Sequence, residues 1–133
     1  MLIDRIKQAE GFSGVPYNDP LGLPTIGYGT LLPITEYEAE LLLKHRLSLV
    51  KQELQEKVHF WDDLPDTIKD VLLDMAYNMG VPRLFTFKNM WRAIEAKDWN
   101  KMADEMVDSL WYSQVGSRSA LLVKMVKDYA RGD

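Results

Sequence analysis

The chain has 133 residues, 47% of them hydrophobic and 11% aromatic, which is enough for one domain with a core of its own. It contains no cysteine, which excludes a disulfide framework and a thiolate nucleophile. Its 20 acidic and 16 basic residues give a net charge of −4. The acidic excess lies in the first half of the chain and argues against a nucleic-acid-binding protein, since such a protein needs a basic stripe.

The N-terminal segment MLIDRIKQAEG contains Asp4 and has no apolar run long enough for a signal peptide or a membrane helix. We therefore expect synthesis in the cytoplasm, no insertion into a membrane, and a monomer. His45 and His59 are the only histidines and form no HExxH pattern. The sequence thus predicts no metal site and no cofactor.

Apolar residues at helical spacing predict a first helix over residues 2–11, with Gly11 able to end it in a left-handed conformation. Residues 12–34 have no helical period. Residues 9–32 hold five of the chain's eight glycines and three of its six prolines, which favours tight turns. Short strands are predicted at residues 15–17, 24–28 and 31–32, forming a small antiparallel hairpin or meander.

The remainder of the chain has helical periodicity. Thr35 and Glu38 fit a capping box at the start of a long helix over about residues 36–58, whose apolar stripe includes Leu42, Leu43 and Leu54. Pro65 and Gly80 bracket a third helix. Further helices are predicted to be capped by Thr86, Asp98 and Ser117, with a short turn around residues 110–112. The fold class is therefore α+β, mainly α, with a small N-terminal antiparallel sheet and two lobes around a cleft.

Two carboxylates and a hydroxyl lie within the turn-rich segment. Glu10 ends the first helix, Asp19 follows in a turn, and Thr25 opens a strand. Such a pair suits glycoside hydrolysis, in which one carboxylic acid protonates the leaving oxygen and the other carboxylate manages water. Ile6 and Ala9 predict partial desolvation of Glu10, which would favour its use as the acid. From these residues alone, an ordinary helix end and an Asx-type turn remain an alternative interpretation.

The complete pattern Glu10-Gly11, Tyr17-Asn18-Asp19 and Thr25-Ile26-Gly27-Tyr28-Gly29 resembles the phage-type lysozymes, or endolysins, of glycoside hydrolase family 24. The likeness extends over nearly the whole chain, through the segment MAYNMG at residues 75–80, Trp111-Tyr112 and Ser117-Arg118. The resemblance implies a single lysozyme domain over residues 1–133. Its β-containing lobe would span about 12–34, its connecting helix about 36–58, and its helical lobe about 64–131 together with the first helix, 2–11.

The resemblance also implies the roles of individual residues. Glu10 would be the proton donor, Asp19 would place or activate a water molecule, and Thr25 would help to hold that water, with inversion at the anomeric carbon. Leu31, Tyr77 and Arg118 match positions that contact sugar or, for Arg118, approach the glutamate in relatives. Tyr77 as a core residue and Arg118 as an exposed helix-start residue remain the alternatives.

The expected activity is that of a muramidase. It would cleave the β-1,4 bond between N-acetylmuramic acid and N-acetylglucosamine in peptidoglycan, reaching the wall through a membrane lesion at the end of a phage cycle. Two alternatives stay open: a lytic transglycosylase that needs Glu10 but not Asp19 or Thr25, and a non-catalytic wall-binding or tail-structural module. Thr30, Met90 and Glu105 depart from residues of some relatives, which leaves subsite preference open.

Overall fold

The computed structural model describes residues 1–132. Helices dominate, and a small antiparallel sheet lies near the N-terminus, so the α+β class predicted from the sequence is confirmed. The chain divides into two compact units, Met1–Leu43 and the described remainder from Lys44 onward.

The first unit contains helix α1 (Leu2–Glu10) and strands β1 (Ser13–Asn18), β2 (Pro24–Gly27) and β3 (Thr30–Leu31). Gly11 ends α1 with a φ of 71°, a value that side-chain-bearing residues rarely adopt. The strands form an antiparallel sheet in the order β1-β2-β3. Thr25 on the central strand pairs with Tyr17 on one side and with Leu31 on the other, so these three residues lie side by side across the sheet.

Helix α2 (Glu36–Lys57) begins in the first unit and ends in the second. The predicted capping box is present, because the Glu38 amide donates to Thr35 Oγ1 at 3.1 Å and the Thr35 amide donates to Glu38 Oε1 at 2.8 Å. The predicted apolar stripe is only partly buried. Leu54 is fully buried, whereas Leu42 and Leu43 are exposed.

The second unit is helical throughout. After a 3₁₀ turn (Trp61–Asp63) come α3 (Asp66–Met79), α4 (Val81–Leu84), α5 (Lys88–Glu95), α6 (Trp99–Val107), α7 (Leu110–Val115) and α8 (Ser117–Ala130). All 21 residues of the buried hydrophobic core belong to this unit, between Leu54 and Val126. The core therefore rests on the helices, and α3 supplies its centre through Ile68, Val71, Leu72, Met75 and Ala76.

Two predicted caps and one predicted turn are wrong. Phe87, not Thr86, precedes α5, and the Thr86 hydroxyl instead donates to the Arg83 carbonyl at the end of the unpredicted helix α4. Gly116, not Ser117, occupies the cap position of α8. The segment expected to turn at 110–112 is the start of helix α7, whose amide at Tyr112 is capped by Ser109. Asp98 does cap α6, as predicted, by accepting from the Lys101 amide.

Side-chain hydrogen bonds inside this unit tie α3, α7 and α8 together. Trp111, 1% exposed, donates its indole N–H to Asn78 Oδ1 at 3.0 Å. Ser119, fully buried, donates its hydroxyl to the carbonyls of Tyr112 and Gly116, both at 2.7 Å. Since buried polar groups are costly when unpaired, these bonds fix how the helix ends meet. Across residues 1–132, no helix combines the length and apolarity that crossing a membrane would need.

Candidate active site

The first unit holds a cavity of about 610 Å³. Its lining includes Glu10, Asp19, Thr25 and Leu31, four of the six residues singled out from the sequence. The other lining residues are Ala9, Tyr17, Pro20, Leu21 and Gly29. The same cavity is thus lined by Glu10 at the end of a helix, Asp19 in a turn and Thr25 on a strand.

Glu10 is the last residue of α1, and its side chain lies against the turn that joins β2 to β3. A Cβ atom added to Gly29 in that turn would lie 2.5 Å from Glu10 Oε2 and 2.6 Å from its Cδ. Only a glycine leaves room for the carboxyl group here. Glu10 itself is exposed, as is Ile6, so the partial desolvation predicted from the sequence is not found in this unit.

Aromatic and cationic contacts hold the β2–β3 turn next to α1. The Tyr28 ring packs on the Phe12 ring with centroids 5.6 Å apart, and Lys7 Nζ lies 5.5 Å from the Tyr28 centroid. Tyr28 lies between two glycines with positive φ, Gly27 and Gly29. These contacts keep Gly29 beside Glu10, and the sequence reasoning did not foresee them.

Asp19 is half-buried and organises the turn between β1 and β2. Its Oδ1 accepts hydrogen bonds from the amides of Leu21 at 2.9 Å and Leu23 at 2.8 Å, and its own amide donates to the Leu23 carbonyl. The Asx-type turn predicted as the ordinary interpretation is therefore present. Both bonds use the same oxygen, so Oδ2 remains available to accept from a ligand or a water molecule.

Thr25 is 2% exposed, one of two buried polar residues in the described chain. Its hydroxyl donates to the Leu23 carbonyl at 3.0 Å, two residues earlier. A hydroxyl has one proton and two lone pairs, so with its proton engaged Thr25 acts toward the cavity as an acceptor. Leu23 links the two groups, because its amide binds Asp19 and its carbonyl binds Thr25.

The cavity also has residues that the sequence reasoning did not assign to substrate, among them Tyr17 and Leu21. Tyr17 pairs with Thr25 across the sheet, on the side opposite the predicted substrate contact Leu31, and Leu21 lies in the Asp19 turn. Leu21 and Leu31 are exposed apolar side chains, 84% and 54% respectively. The period-2 pairing of the strands is the signal that could have found Tyr17.

Tyr77 and Arg118 belong to the second unit. Tyr77 lies on α3 and is 40% exposed, so it is not a core residue. Arg118, at the start of α8, donates from Nε to Asp74 Oδ1 at 2.7 Å and from Nη2 to the Asp74 carbonyl at 3.3 Å. Its role toward Glu10 stays a prediction. Within residues 1–132, no group of three or more His, Cys, Asp or Glu side chains has the arrangement of a metal site.

Comparison with known proteins identifies a family for the chain. Residues 7–127 match the phage lysozyme family. The protein belongs to the phage lysozyme family.

Two similar proteins differ greatly in their own length. A probable T4-type lysozyme 1 of Dictyostelium discoideum is 29% identical over 97 residues, which is 71% of this chain and 57% of that protein. The pre-baseplate central spike protein Gp5 of Enterobacteria phage T4 is 24% identical over an alignment covering 94% of this chain and 27% of its own length. The chain thus spans little more than half of one relative and about a quarter of the other.

Proposed function

We propose that the protein is a peptidoglycan hydrolase of the muramidase type, cleaving the β-1,4 bond between N-acetylmuramic acid and N-acetylglucosamine. The observation that carries the proposal is the cavity shared by Glu10, Asp19 and Thr25. Membership of the phage lysozyme family supports it. The expected role is the lysis of bacterial cell walls by a single lysozyme domain.

In this proposal Glu10 is the general acid. Its carboxyl group protonates the glycosidic oxygen as the bond to the anomeric carbon breaks, and the sugar passes through an oxocarbenium-like transition state. Gly29 contributes by leaving the carboxyl group room at the helix end. The exposure of Glu10 leaves it accessible to a polymeric substrate.

Asp19 and Thr25 would position the attacking water. The water donates one hydrogen bond to Asp19 Oδ2 and the other to Thr25 Oγ1, whose own proton is occupied by Leu23. Because both protons of the water are held in these two hydrogen bonds, one of its lone pairs points to the anomeric carbon. Asp19 takes up the proton that is released when the water attacks. Attack on the face opposite the leaving group gives inversion of configuration.

Leu31, Tyr77 and Arg118 are the proposed contacts to the glycan. Leu31 offers an exposed apolar edge beside Thr25. Tyr77 combines a ring face with a hydroxyl donor, which suits stacking on a sugar. Arg118 already donates to Asp74. Its remaining N–H groups would donate to an oxygen of the glycan while the pair with Asp74 stays in place.

The test is the Glu10→Gln variant assayed by the clearing of purified peptidoglycan. We expect the rate to fall by at least about 100-fold, because proton donation is lost, while thermal unfolding is almost unchanged because the side chain is exposed. Glu36→Gln, on the first turn of α2 and outside the cavity, is the matched control and should keep its activity. A Glu10→Gln protein that clears walls at the normal rate would refute the proposal.

Analysis of the products separates hydrolysis from transglycosylation. A hydrolase leaves a reducing end at each cut, whereas a lytic transglycosylase leaves an anhydro-sugar end. We expect reducing ends only. Anhydro ends, together with full activity of an Asp19 variant, would favour the transglycosylase, and binding to walls without any products would favour a non-catalytic module.

A further inference from the structure

The turn between β1 and β2 carries an exposed apolar side chain, that of Leu21. The turn reads Asp19-Pro20-Leu21-Gly22, and the Gly22 amide closes it by donating to the Asp19 carbonyl at 2.9 Å. Turn positions usually hold polar residues, glycine or proline, whereas here a leucine is 84% exposed. Because this side chain buries so little apolar surface in the folded chain, it adds little to stability and is accessible to a ligand.

Leu21 lines the cavity that also holds Glu10, Asp19 and Thr25. Its place there is fixed by Asp19, since the Leu21 amide donates to the Asp19 Oδ1 at 2.9 Å. A side chain on a turn that is already ordered loses little freedom when it contacts a ligand. Neither the proposed mechanism nor the proposed contacts to the glycan use Leu21.

The position of Leu21 next to Asp19 indicates which part of the substrate it meets. In the proposed mechanism, Asp19 holds the water that attacks the anomeric carbon of N-acetylmuramic acid, so this carbon lies beside Asp19. The acetamido group of the sugar is attached to the neighbouring ring carbon. Its methyl group is therefore the methyl group that is fewest bonds away from the reacting atom.

We propose that Leu21 is a specificity-determining residue, which packs on the acetyl methyl group of the sugar whose bond is cut. The inference rests on the proposed function, because it assigns the selection of N-acetylated glycan to one side chain of the same site. Contact between the leucine and the methyl group removes apolar surface of both from water. Burial of one such group corresponds to about a fourfold gain in affinity.

The experiment measures, by co-sedimentation, the binding of the Glu10→Gln protein to two forms of insoluble peptidoglycan. Both are made from one de-N-acetylated wall, which is re-acylated with acetyl groups in one form and with formyl groups in the other. The two forms have the same charge and the same polar atoms, and they differ in the methyl group alone. We expect binding to the acetylated wall to be about fourfold tighter.

Leu21→Ala in the same background should abolish this preference. Its melting temperature should not change, because the side chain is exposed. Leu41→Ala is the matched control, since Leu41 is an exposed leucine of the same unit that does not line the cavity. Leu21→Met is the second control, because it keeps an apolar side chain of similar volume. Both control variants should keep the preference for the acetylated wall.

The inference is overturned if the Glu10→Gln protein binds the two walls equally, if Leu21→Ala keeps the preference, or if either control variant loses it. Clearing of native walls by the unmutated protein is measured separately. A protein that clears no walls would refute the proposed function, whereas the methyl preference is determined from binding alone. The two failures are therefore distinguishable.

Discussion

Gly29 lies so close to Glu10 that a single added methyl group would enter the space of the carboxyl group, 2.5 Å from Oε2. The absence of a Cβ atom at Gly29 therefore lets the turn between β2 and β3 lie directly against the Glu10 carboxyl group at the end of α1. This fit, with the Tyr28 contacts beside it, sets where the proposed acid can point.

The Gly29→Ala variant should lose activity far beyond what its backbone strain explains. Gly29 and Gly27 both have positive φ, 73° and 69°, so alanine costs each position about 1–2 kcal/mol of stability. Gly27 has open space around its Cα, whereas Gly29 meets Glu10. We expect wall-clearing rates about 100-fold lower for Gly29→Ala through displacement of the acid, and a much smaller loss for Gly27→Ala. Equal losses in the two variants would contradict the proposed fit.

The Asp19→Asn variant should distinguish the structural role of Asp19 in its turn from its proposed role as proton acceptor in hydrolysis. Asparagine keeps an Oδ1 acceptor for the amides of Leu21 and Leu23, so the loop and the melting temperature should be nearly unchanged. The charged oxygen that would receive the proton from water is lost, and hydrolysis should fall at least about 100-fold. Asp19→Ala, the structural control, should lose both activity and stability. An active Asp19→Asn protein would remove Asp19 from the mechanism.

Asn78→Ala should destabilise the second unit by about 1–3 kcal/mol, because it leaves the buried indole N–H of Trp111 without an acceptor. Chemical denaturation measures this directly. In the Trp111→Phe background, the same Asn78→Ala change should cost much less, since the unpaired donor is gone. Additive effects of the two substitutions would show that the hydrogen bond contributes little.

The cap of α2 should weaken in acid. The Thr35 amide, and to a smaller extent its hydroxyl, donate to Glu38 and lower the pKa of that carboxyl from its ordinary value of 4.5. Because the folded-state pKa is the lower one, the stabilisation is complete above the unfolded-state value and is lost as pH falls through the folded-state value. The difference in unfolding free energy between the parent and Glu38→Gln should thus be constant near neutral pH and should shrink below about pH 4.5.

Glu36→Gln is the control for that titration, since it removes a carboxylate from the same helical turn and leaves the Thr35 contacts intact. Unfolding curves collected from neutral pH to about pH 3 compare the two variants. A Glu38→Gln difference that stays constant over the whole range would show that the cap is not linked to this ionisation.

Local sequence signals predicted those parts of the fold that depend on local chemistry. The capping box of Thr35 and Glu38 and the helix cap at Asp98 were predicted correctly because the hydrogen bonds of each join residues within a four-residue segment. The caps predicted at Thr86 and Ser117 failed because other local features compete for these positions. The Thr86 hydroxyl donates to the Arg83 carbonyl at the end of the unpredicted helix α4, and Gly116, with a φ of 73°, takes the cap position directly before Ser117.

The candidate site divides in the same way. Motif order placed Glu10, Asp19 and Thr25 together because strand pairing and the Asp19 turn are short-range features. The contact of Gly29 with Glu10 spans 19 positions and depends on how Tyr28 packs, which no periodic pattern encodes. The buried indole N–H of Trp61 has no hydrogen-bond partner among residues 1–132. This could not be foreseen either, since a sequence does not reveal which donors lack an acceptor.

The concentration of the hydrophobic core between Leu54 and Val126 has a consequence for heating. Among residues 1–43 only Thr25 is buried, so the segment carrying the proposed acid and water site relies on turn hydrogen bonds and small ring contacts. Regions with so little buried apolar surface open locally at a lower free-energy cost than the whole protein. Thermal inactivation should therefore begin below the calorimetric melting transition, and it should be reversible on cooling for as long as the helical core stays folded.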